Sequence, residues 1–304
     1  MYDWHRDESG SRVDLLRDHY LVLFAATFNL LENPSHMERM IDYDDIDDWA
    51  PYLSEVLAPI VSDKVRGAVA AQVPECLEDS RIYLFTLVAR EKLITAVLQW
   101  LEANTVVAYH GSRLTQEEVG SVQLKGLLPL VGTARRARLA RALAKHPDWD
   151  SAKARLDDVI RAYGFGNMGG SREGQVHLTL SLAGLENGFD HYLRYGSEFD
   201  QHVAHELLGP SGKDCLADDG VAIVVKVALS GKDALAGAHP FFSIADVLEM
   251  GDTPNLVREF IDAWSHRLYD SCYQTRTRAL DSGIWFREAV PPSCILSMQF
   301  VDQL

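Results

Sequence analysis

The stretch Val106–Leu130, VVAYHGSRLTQEEVGSVQLKGLLPL, decides how the rest of the chain is read. A β-branched run leads into Tyr109-His110-Gly111-Ser112, and an amphipathic segment follows that closes on Gly126-Leu127. Val106, Val107 and Tyr109 suit a pleated, half-buried backbone. Thr115 with Glu118 three residues on is a capping box, in which hydroxyl and carboxylate satisfy backbone N–H groups at a helix start. The pattern predicts a strand over 105–109 and a helix over 114–125. His110, Gly111 and Ser112 then stand at the mouth of the strand, where they make either a turn with a half-buried imidazole or the floor of a ligand pocket.

Outward from this stretch, the 304 residues are 47% hydrophobic and 24% charged, enough for one large domain or two smaller ones with real cores. The formal charge of −15 disfavours non-specific contact with nucleic acid or an anionic membrane. The start, MYDWHRDESGSR, lacks the layout of a signal peptide, and LVLFAATFNLL is too short to span a bilayer. Cys76, Cys215, Cys272 and Cys294 are scattered without a CxxC pair, which fits reduced thiols better than a disulfide framework. A soluble, cytoplasmic protein without a membrane partner is expected.

The first hundred residues read as helical, with helices over Asp14–Asn33, Tyr52–Ala71 and Ser80–Ala103 and a solvated acidic turn at DYDDIDDWAP. From Asn104 the texture changes to mixed strands and helices. An Ala/Leu helix over Thr133–Lys145 carries Arg135, Arg136, Arg138, Arg141 and Lys145, and another helix is expected over Ser151–Tyr163. GQVHLTLS and VAIVVKVAL read as strands, Phe189–Leu208 as one helix, and the end as two strands around Pro291-Pro292. Helices are also expected near Ser243–Met250 and over Thr253–Asp270, the latter capped by Thr253. The expected division is a helical region over 1–103 and an α+β domain over 104–304, with a helical insertion at about 131–163.

Several motifs lead nowhere. GFGNMG at 164–169 matches GxGxxG but follows a helix and enters a strand, so a pyrophosphate would meet no helix N-terminus. A ligand-covering or flexible loop is the better account. GPSGK at 209–213 lacks the spacing of a P-loop. Steps of three and four place His191, Tyr195, Glu198, His202 and His205 on one helix face, and Glu198, His202 and His205 would suit a metal-dependent hydrolase. HVAHE has neither the order nor the spacing of the zinc-protease helix, so a solvated polar face is the stronger reading. The basic helix reads either as a solvated face balancing acidic neighbours or as a patch that steers a phosphate-bearing ligand.

Strand, Tyr109-His110-Gly111-Ser112, helix, Gly126-Leu127: this order resembles the entry to the ADP-ribosyltransferase fold of the diphtheria-toxin and poly(ADP-ribose) polymerase class, whose sites carry a His-Tyr-Glu set. The resemblance covers roughly residues 104–304. It implies a split mixed β-sheet with helices, preceded by the all-helical region. It implies that His110 hydrogen-bonds the adenosine-side ribose of NAD, that the backbone of Gly111 pairs with the nicotinamide amide, and that Tyr109 and Ser112 complete the seat. In the same family a glycine-led strand ending at a hydroxyl leads to a helix whose aromatic stacks on nicotinamide. Here the strand is GQVHLTLS, ending at Ser181, and the aromatic is Tyr192 or Tyr195.

The chain departs from that pattern at the catalytic glutamate. Counting back about seven residues from the proline turn reaches Gly283, flanked by Asp281 and Ser282, with no glutamate. Glu288 lies toward the other end of the strand, and Glu198 is the remaining acidic candidate from the helix. The resemblance therefore implies a mono-ADP-ribosyltransferase, an enzyme of the glycosyltransferase class, with NAD as donor and a protein or small molecule as acceptor. A bacterial toxin, effector or defence role follows by analogy, and a catalytically silent NAD or ADP-ribose binder is the alternative.

Overall fold

The computed structural model describes residues 38–164, 173–277 and 282–301. Contacts divide the chain into Met1–Glu38 and Arg39–Leu304, and every element below belongs to the second unit. The expected helix over Asp14–Asn33 and the centre of the glycine-rich loop lie outside the described residues.

Among the described residues six strands form one open, mostly antiparallel sheet within an α+β fold. They are β1 (Met40–Ile41), β2 (Thr105–Leu114), β3 (Val176–Thr179), β4 (Val221–Ser230), β5 (Gly283–Phe286) and β6 (Ile295–Phe300). The order across the sheet is β5-β3-β2-β4-β6, and β1 adds a short parallel pairing to the start of β2. β4 pairs with β2 along its whole length, from Thr105↔Ser230 to Leu114↔Val221. The pairing of β2 with β3 is registered only at Tyr109↔Thr179. β2 is thus firmly held by β4 and loosely joined to β3.

β2 is longer than its sequence suggests and runs through His110, Gly111 and Ser112, so the triplet lies within the strand. The alternation of a pleated strand sorts its side chains. Val106 and Ala108 face the main core with Ile223, Val225 and Val227 of β4, while Val107 and Tyr109 face a smaller cluster with Val224, Leu185 and Leu193.

Helices α1 (Ile46–Leu57), α2 (Asp63–Ala70), α3 (Leu77–Leu87) and α4 (Arg90–Glu102) pack into the same main core as the sheet. The expected boundary at 103/104 therefore does not coincide with the observed division. The expected helix over 52–71 is two helices, because Pro59 interrupts the run and Ser62 caps the second by accepting from Val65 N. The helix expected over 80–103 breaks at Val88-Ala89, where the backbone is extended.

α5 (Gln116–Lys125) forms with the anticipated Thr115–Glu118 capping box. It stops at Gly126, whose φ of 79° favours glycine and whose Cα lies so close to the Val290 carbonyl that a Cβ would fall 2.0 Å from it. Leu127 and Val290 then exchange both backbone hydrogen bonds. The Gly-Leu pair and the proline turn, 163 residues apart, are stitched together by this bridge.

α6 (Gly132–Leu143), the short α7 (Trp149–Ala152) and α8 (Leu156–Ala162) follow. α9 (Leu182–Asn187), α10 (Asp190–Tyr195), α11 (Glu198–Leu208) and α12 (Pro210–Ala217) lie between β3 and β4. α6, α8, α11 and α12 build a second hydrophobic cluster around Leu139, Phe199 and Val203. The single helix expected over 189–208 is divided at Gly196, where φ is 83° and Ser197 caps α11. α13 (Gly231–Gly237), α14 (Ile244–Glu249) and α15 (Asn255–Tyr269) complete the helices, with Ser243 and Asp246 forming a capping box on α14. α15 starts after Pro254, and no side-chain cap from Thr253 forms. β5 and β6, the two strands expected around the proline turn, stand at opposite edges of the sheet. Among the described residues no helix is long and apolar enough to cross a membrane.

Candidate functional site

A cleft of about 410 Å³ opens on the β2–β3–β5 side of the sheet, within the range of small-molecule sites. Its floor comes from Tyr109 and Gly111 of β2, His177 and Thr179 of β3, and Gly283 and Trp285 of β5. The registers Tyr109↔Thr179 and His177↔Trp285 place these residues on one face. Leu185, Phe189 and Tyr192 wall one side, and the segment His239–Phe242 walls the other.

His110 stands where β2 and β3 part. Its Nδ1 lies 2.8 Å from the carbonyl oxygen of His177, which can only accept, so Nδ1 carries the proton and Nε2 is left as an acceptor. Loss of solvation holds the imidazole below its usual range, against the opposing pull of that carbonyl. His239 is also neutral by its bonding, since its Nε2 accepts from the backbone N–H of Asn255 at 2.8 Å. Among the described residues lining the cleft there is no Lys, Arg, Asp or Glu. In a chain of net charge −15, that neutrality is a property of the site.

Gly111 is tight for a reason other than ligand approach alone. An added Cβ would lie 2.8 Å from Leu185 Cδ2 and 3.2 Å from Leu193 Cδ2, so leucines of α9 and α10 already pack on it. Tyr109 is tied down through its hydroxyl, which donates to Asp42 Oδ2 at 2.7 Å, and Lys226 Nζ meets the same oxygen at 2.7 Å. Burial, then the Asp42 carboxylate, push the Tyr109 phenol above its ordinary range. Ser181 is fully buried and committed: its hydroxyl donates to Asp44 Oδ1 at 2.6 Å and caps α9 by accepting from Gly184 N. Asp44 also accepts from Leu182 N at 2.7 Å, and its burial raises its pKa. The supposedly solvated acidic turn is therefore a structural clasp through Asp42 and Asp44, and α1 begins inside it at Ile46.

Tyr192 lines the cleft, and its hydroxyl donates to Glu198 Oε1 at 2.7 Å. The His191 ring lies 4.2 Å from that of Tyr192, with its Nε2 3.7 Å from the same carboxylate oxygen. Tyr195 does not line the cleft; it packs on the second hydrophobic cluster, with Arg194 over its ring. Glu198 borders the site through Tyr192 rather than lining it. Ser112 is not among the lining residues, and Glu288 is exposed beyond the end of β5.

At Gly283, where the family resemblance expects a glutamate, the space has another occupant. A Cβ built there would lie 2.9 Å from Nε1 of Trp285, so the indole covers the position. Trp285 also meets His177 at 4.8 Å and Phe241 edge-to-face at 5.9 Å. Trp285, His177 and the Phe241-Phe242 pair were not singled out from sequence. The alternation in VHLT and the two adjacent phenylalanines after Pro240 are the signals that could have found them.

The metal reading does not gather its ligands. The helix break at Gly196 interrupts the polar stripe, His202 stacks on Tyr163, and among the described residues no three His, Cys, Asp or Glu side chains are grouped to hold an ion.

The basic helix resolves in favour of structure. Arg135 meets Asp200 through two bonds and Glu118 through a third, Arg138 binds Glu118 and the carbonyls of Arg113 and Asp219, and Arg141 pairs with Asp219. No protein-family model, no curated protein and no solved structure matches the chain. The geometry of the cleft carries the functional reading.

Proposed function

We propose that the cleft binds NAD and that the chain is a mono-ADP-ribosyltransferase of the His-Tyr class, acting on a protein or small-molecule acceptor. One observation supports this above the others. His110 and Gly111 on β2 and Tyr192 on α10, some eighty residues apart in sequence and each assigned to NAD by resemblance, line one cleft. The fit is chemical as well as spatial, since an aromatic wall suits the nicotinamide ring and the bare His110 Nε2 suits a ribose hydroxyl. Of the two helix tyrosines, Tyr192 lines the cleft and Tyr195 packs elsewhere.

Cleavage of the nicotinamide–ribose bond develops oxocarbenium character, as glycoside hydrolysis does, and a nearby carboxylate stabilises it. Glu198 is the carboxylate in reach, held by the Tyr192 hydroxyl on the border of the cleft. General-base help from such a group is worth about 10²–10⁴-fold. The indole over Gly283 favours a second reading, a silent NAD or ADP-ribose binder, because it fills the position the family gives to its glutamate.

The test is nicotinamide release from NAD by the purified chain, with His110→Ala, Tyr192→Phe and Glu198→Gln beside it. Release lost in His110→Ala and cut at least about tenfold in Glu198→Gln supports the transferase. Because His110 is held below 6.5, release should be level near pH 7 and fall only below that value, as a proton occupies the Nε2 acceptor. Saturable NAD binding without release favours the silent binder, and absence of both sinks the NAD reading.

A further inference from the structure

Helix α15 buries Leu256, Val257, Phe260 and Ile261 completely in the main core, yet its first N–H is met from outside the helix. Pro254 precedes it and supplies no side-chain cap. The Asn255 N–H is satisfied instead by His239 Nε2 at 2.8 Å, and the Asn255 side-chain amide donates back to the Ala238 carbonyl at 3.2 Å. These two bonds fasten the start of the cleft wall, His239–Phe242, to a rigid helix. Core burial does not hold that wall: Phe241 is 69% and Phe242 56% exposed, and Phe241 meets Trp285 edge-to-face at 5.9 Å. A segment with so little buried apolar surface opens readily once its polar anchor is lost.

We propose that His239 is the positioning residue of this wall and makes it sensitive to pH: the neutral imidazole caps α15 and keeps the wall in place, and protonation of Nε2 releases it. The clasp follows from the wall and the helix alone, and its consequence for NAD rests on the reading above.

Capping requires a bare Nε2, so the neutral ring carries its proton on Nδ1. Protonating Nε2 replaces the acceptor with a donor that faces the Asn255 N–H. It also sets a cation against the positive end of a 15-residue helix. Burial, then the like charge of Arg258 one turn along α15, hold the imidazole below its ordinary 6.5. The other charged groups around it are engaged elsewhere or stand apart. On α15, Glu259 lies 3.5 Å from the Arg258 guanidinium, and the loop before that helix carries Asp252. α13 has Lys232 and Asp233 at its far end, where Asp233 meets Ser230. α4 sends Arg90 to the Gly251 carbonyl and the Thr253 hydroxyl, and Arg287 and Glu288 are exposed past β5. The cleft side offers His110 and His177 without a carboxylate. A group depressed by the closed wall stabilises that wall above 6.5, and the stabilisation is lost as pH falls from there through the lowered value.

Tryptophan emission of the full chain without ligand, scanned from mildly alkaline to mildly acidic pH and corrected by the same scan of Trp285→Phe, isolates the indole that Phe241 meets. In wild type the Trp285 share should shift to longer wavelength below 6.5, as the wall leaves it. His239→Gln, whose Oε1 reaches as far as Nε2 and does not titrate, should keep the alkaline emission throughout. His239→Ala should show the shifted emission at every pH, and thermal unfolding checks that each chain is folded. Imidazole nitrogen resonances of wild type give a readout that needs no variant: the Nδ1-protonated tautomer near neutrality and a titration below 6.5. A transition that survives in His239→Gln belongs to another group, such as His177 against the same indole, and overturns the proposal. So does a ring that titrates at or above 6.5, or one that titrates while the emission stays in place. With NAD present, wild type should lose affinity relative to His239→Gln by up to about tenfold per pH unit, beyond any loss through His110, which both chains share. The same transition in a chain that binds no NAD at any pH supports the clasp and overturns the NAD reading.

Discussion

Strand β2 serves two regions of opposite character within ten residues. At Tyr109–Gly111 it floors a cleft with no charged lining residue among those described, and the His110 acceptor is left without a partner there. Past Arg113, at the capping box of α5, it meets a network in which Glu118, Arg135, Arg138, Asp200 and Asp219 answer one another. Asp200 is fully buried and Arg138 is 5% exposed, so these charges persist only because each has its counterion and hydrogen bonds. The difference shows where this acidic chain uses its arginines. Those of α6 are occupied holding helices together, and the site that faces solvent is left to rings and neutral imidazoles.

Arg135 is the arginine on which the network depends most. Arg135→Ala strands the Asp200 carboxylate in the interior, and losing one member of a buried pair costs about 3–5 kcal/mol. Denaturant unfolding should show that loss, while NAD affinity at temperatures where the variant stays folded should not change. A variant that keeps its stability and loses ligand binding would move the network into the site and dissolve the contrast.

The next effect sharpens the contrast through pH. Burial pushes the Glu118 carboxyl up, but Arg138 and Arg135 outweigh it and hold the group at about 2, against an ordinary 4.5. A carboxyl depressed by folding contributes stability that is present above 4.5 and is lost as pH falls from there toward 2. The contribution is on the order of 3 kcal/mol. Asp262, between α3 and α15, behaves oppositely: burial, against the pull of Arg81, raises it to about 6, so its contribution falls as pH rises from 3.8 to 6. Subtracting the stability profile of Glu118→Gln from that of wild type removes the Asp262 slope and isolates the acid limb. A flat difference between pH 4.5 and 2 would mean that the network does not hold Glu118 ionised.

Legibility in the sequence follows the range of the forces. The Thr115–Glu118 box, the strand entering at Thr105, the long apolar β4 and the caps at Ser62 and Ser243 depend on neighbours within a few residues; the first three were readable, and neither serine cap was singled out. Helix breaks at Pro59 and Gly196 were equally local, but their amphipathic surroundings concealed them. The extension of β2 through His110 was not readable, because His, Gly and Ser are poor strand formers and β4 imposes the conformation by pairing. The cleft was half visible. His110 and Gly111 came from a motif, which left the helix aromatic open between Tyr192 and Tyr195, whereas Trp285 and Phe241 reach the cleft through the order of strands in the sheet, which no local pattern encodes. Likewise Asp42 and Asp44 read as solvated because their partners Tyr109, Lys226 and Ser181 lie far along the chain.

The smallest expected effect tests whether pairing or burial makes the network structural. Arg136 stands on the same helix as Arg135 and Arg138 and meets Asp157 through a similar two-bond contact, but both side chains are more than half exposed. Water already solvates each charge there, and ordering two long side chains offsets most of the attraction. Arg136→Ala should therefore leave the unfolding midpoint unchanged within error, although its contact is as good in geometry as that of Arg135. If its loss instead matched that of Arg135→Ala, desolvation would not be what separates the two arginines. The contrast between a charged, closed region and a neutral, open one would then rest on geometry alone.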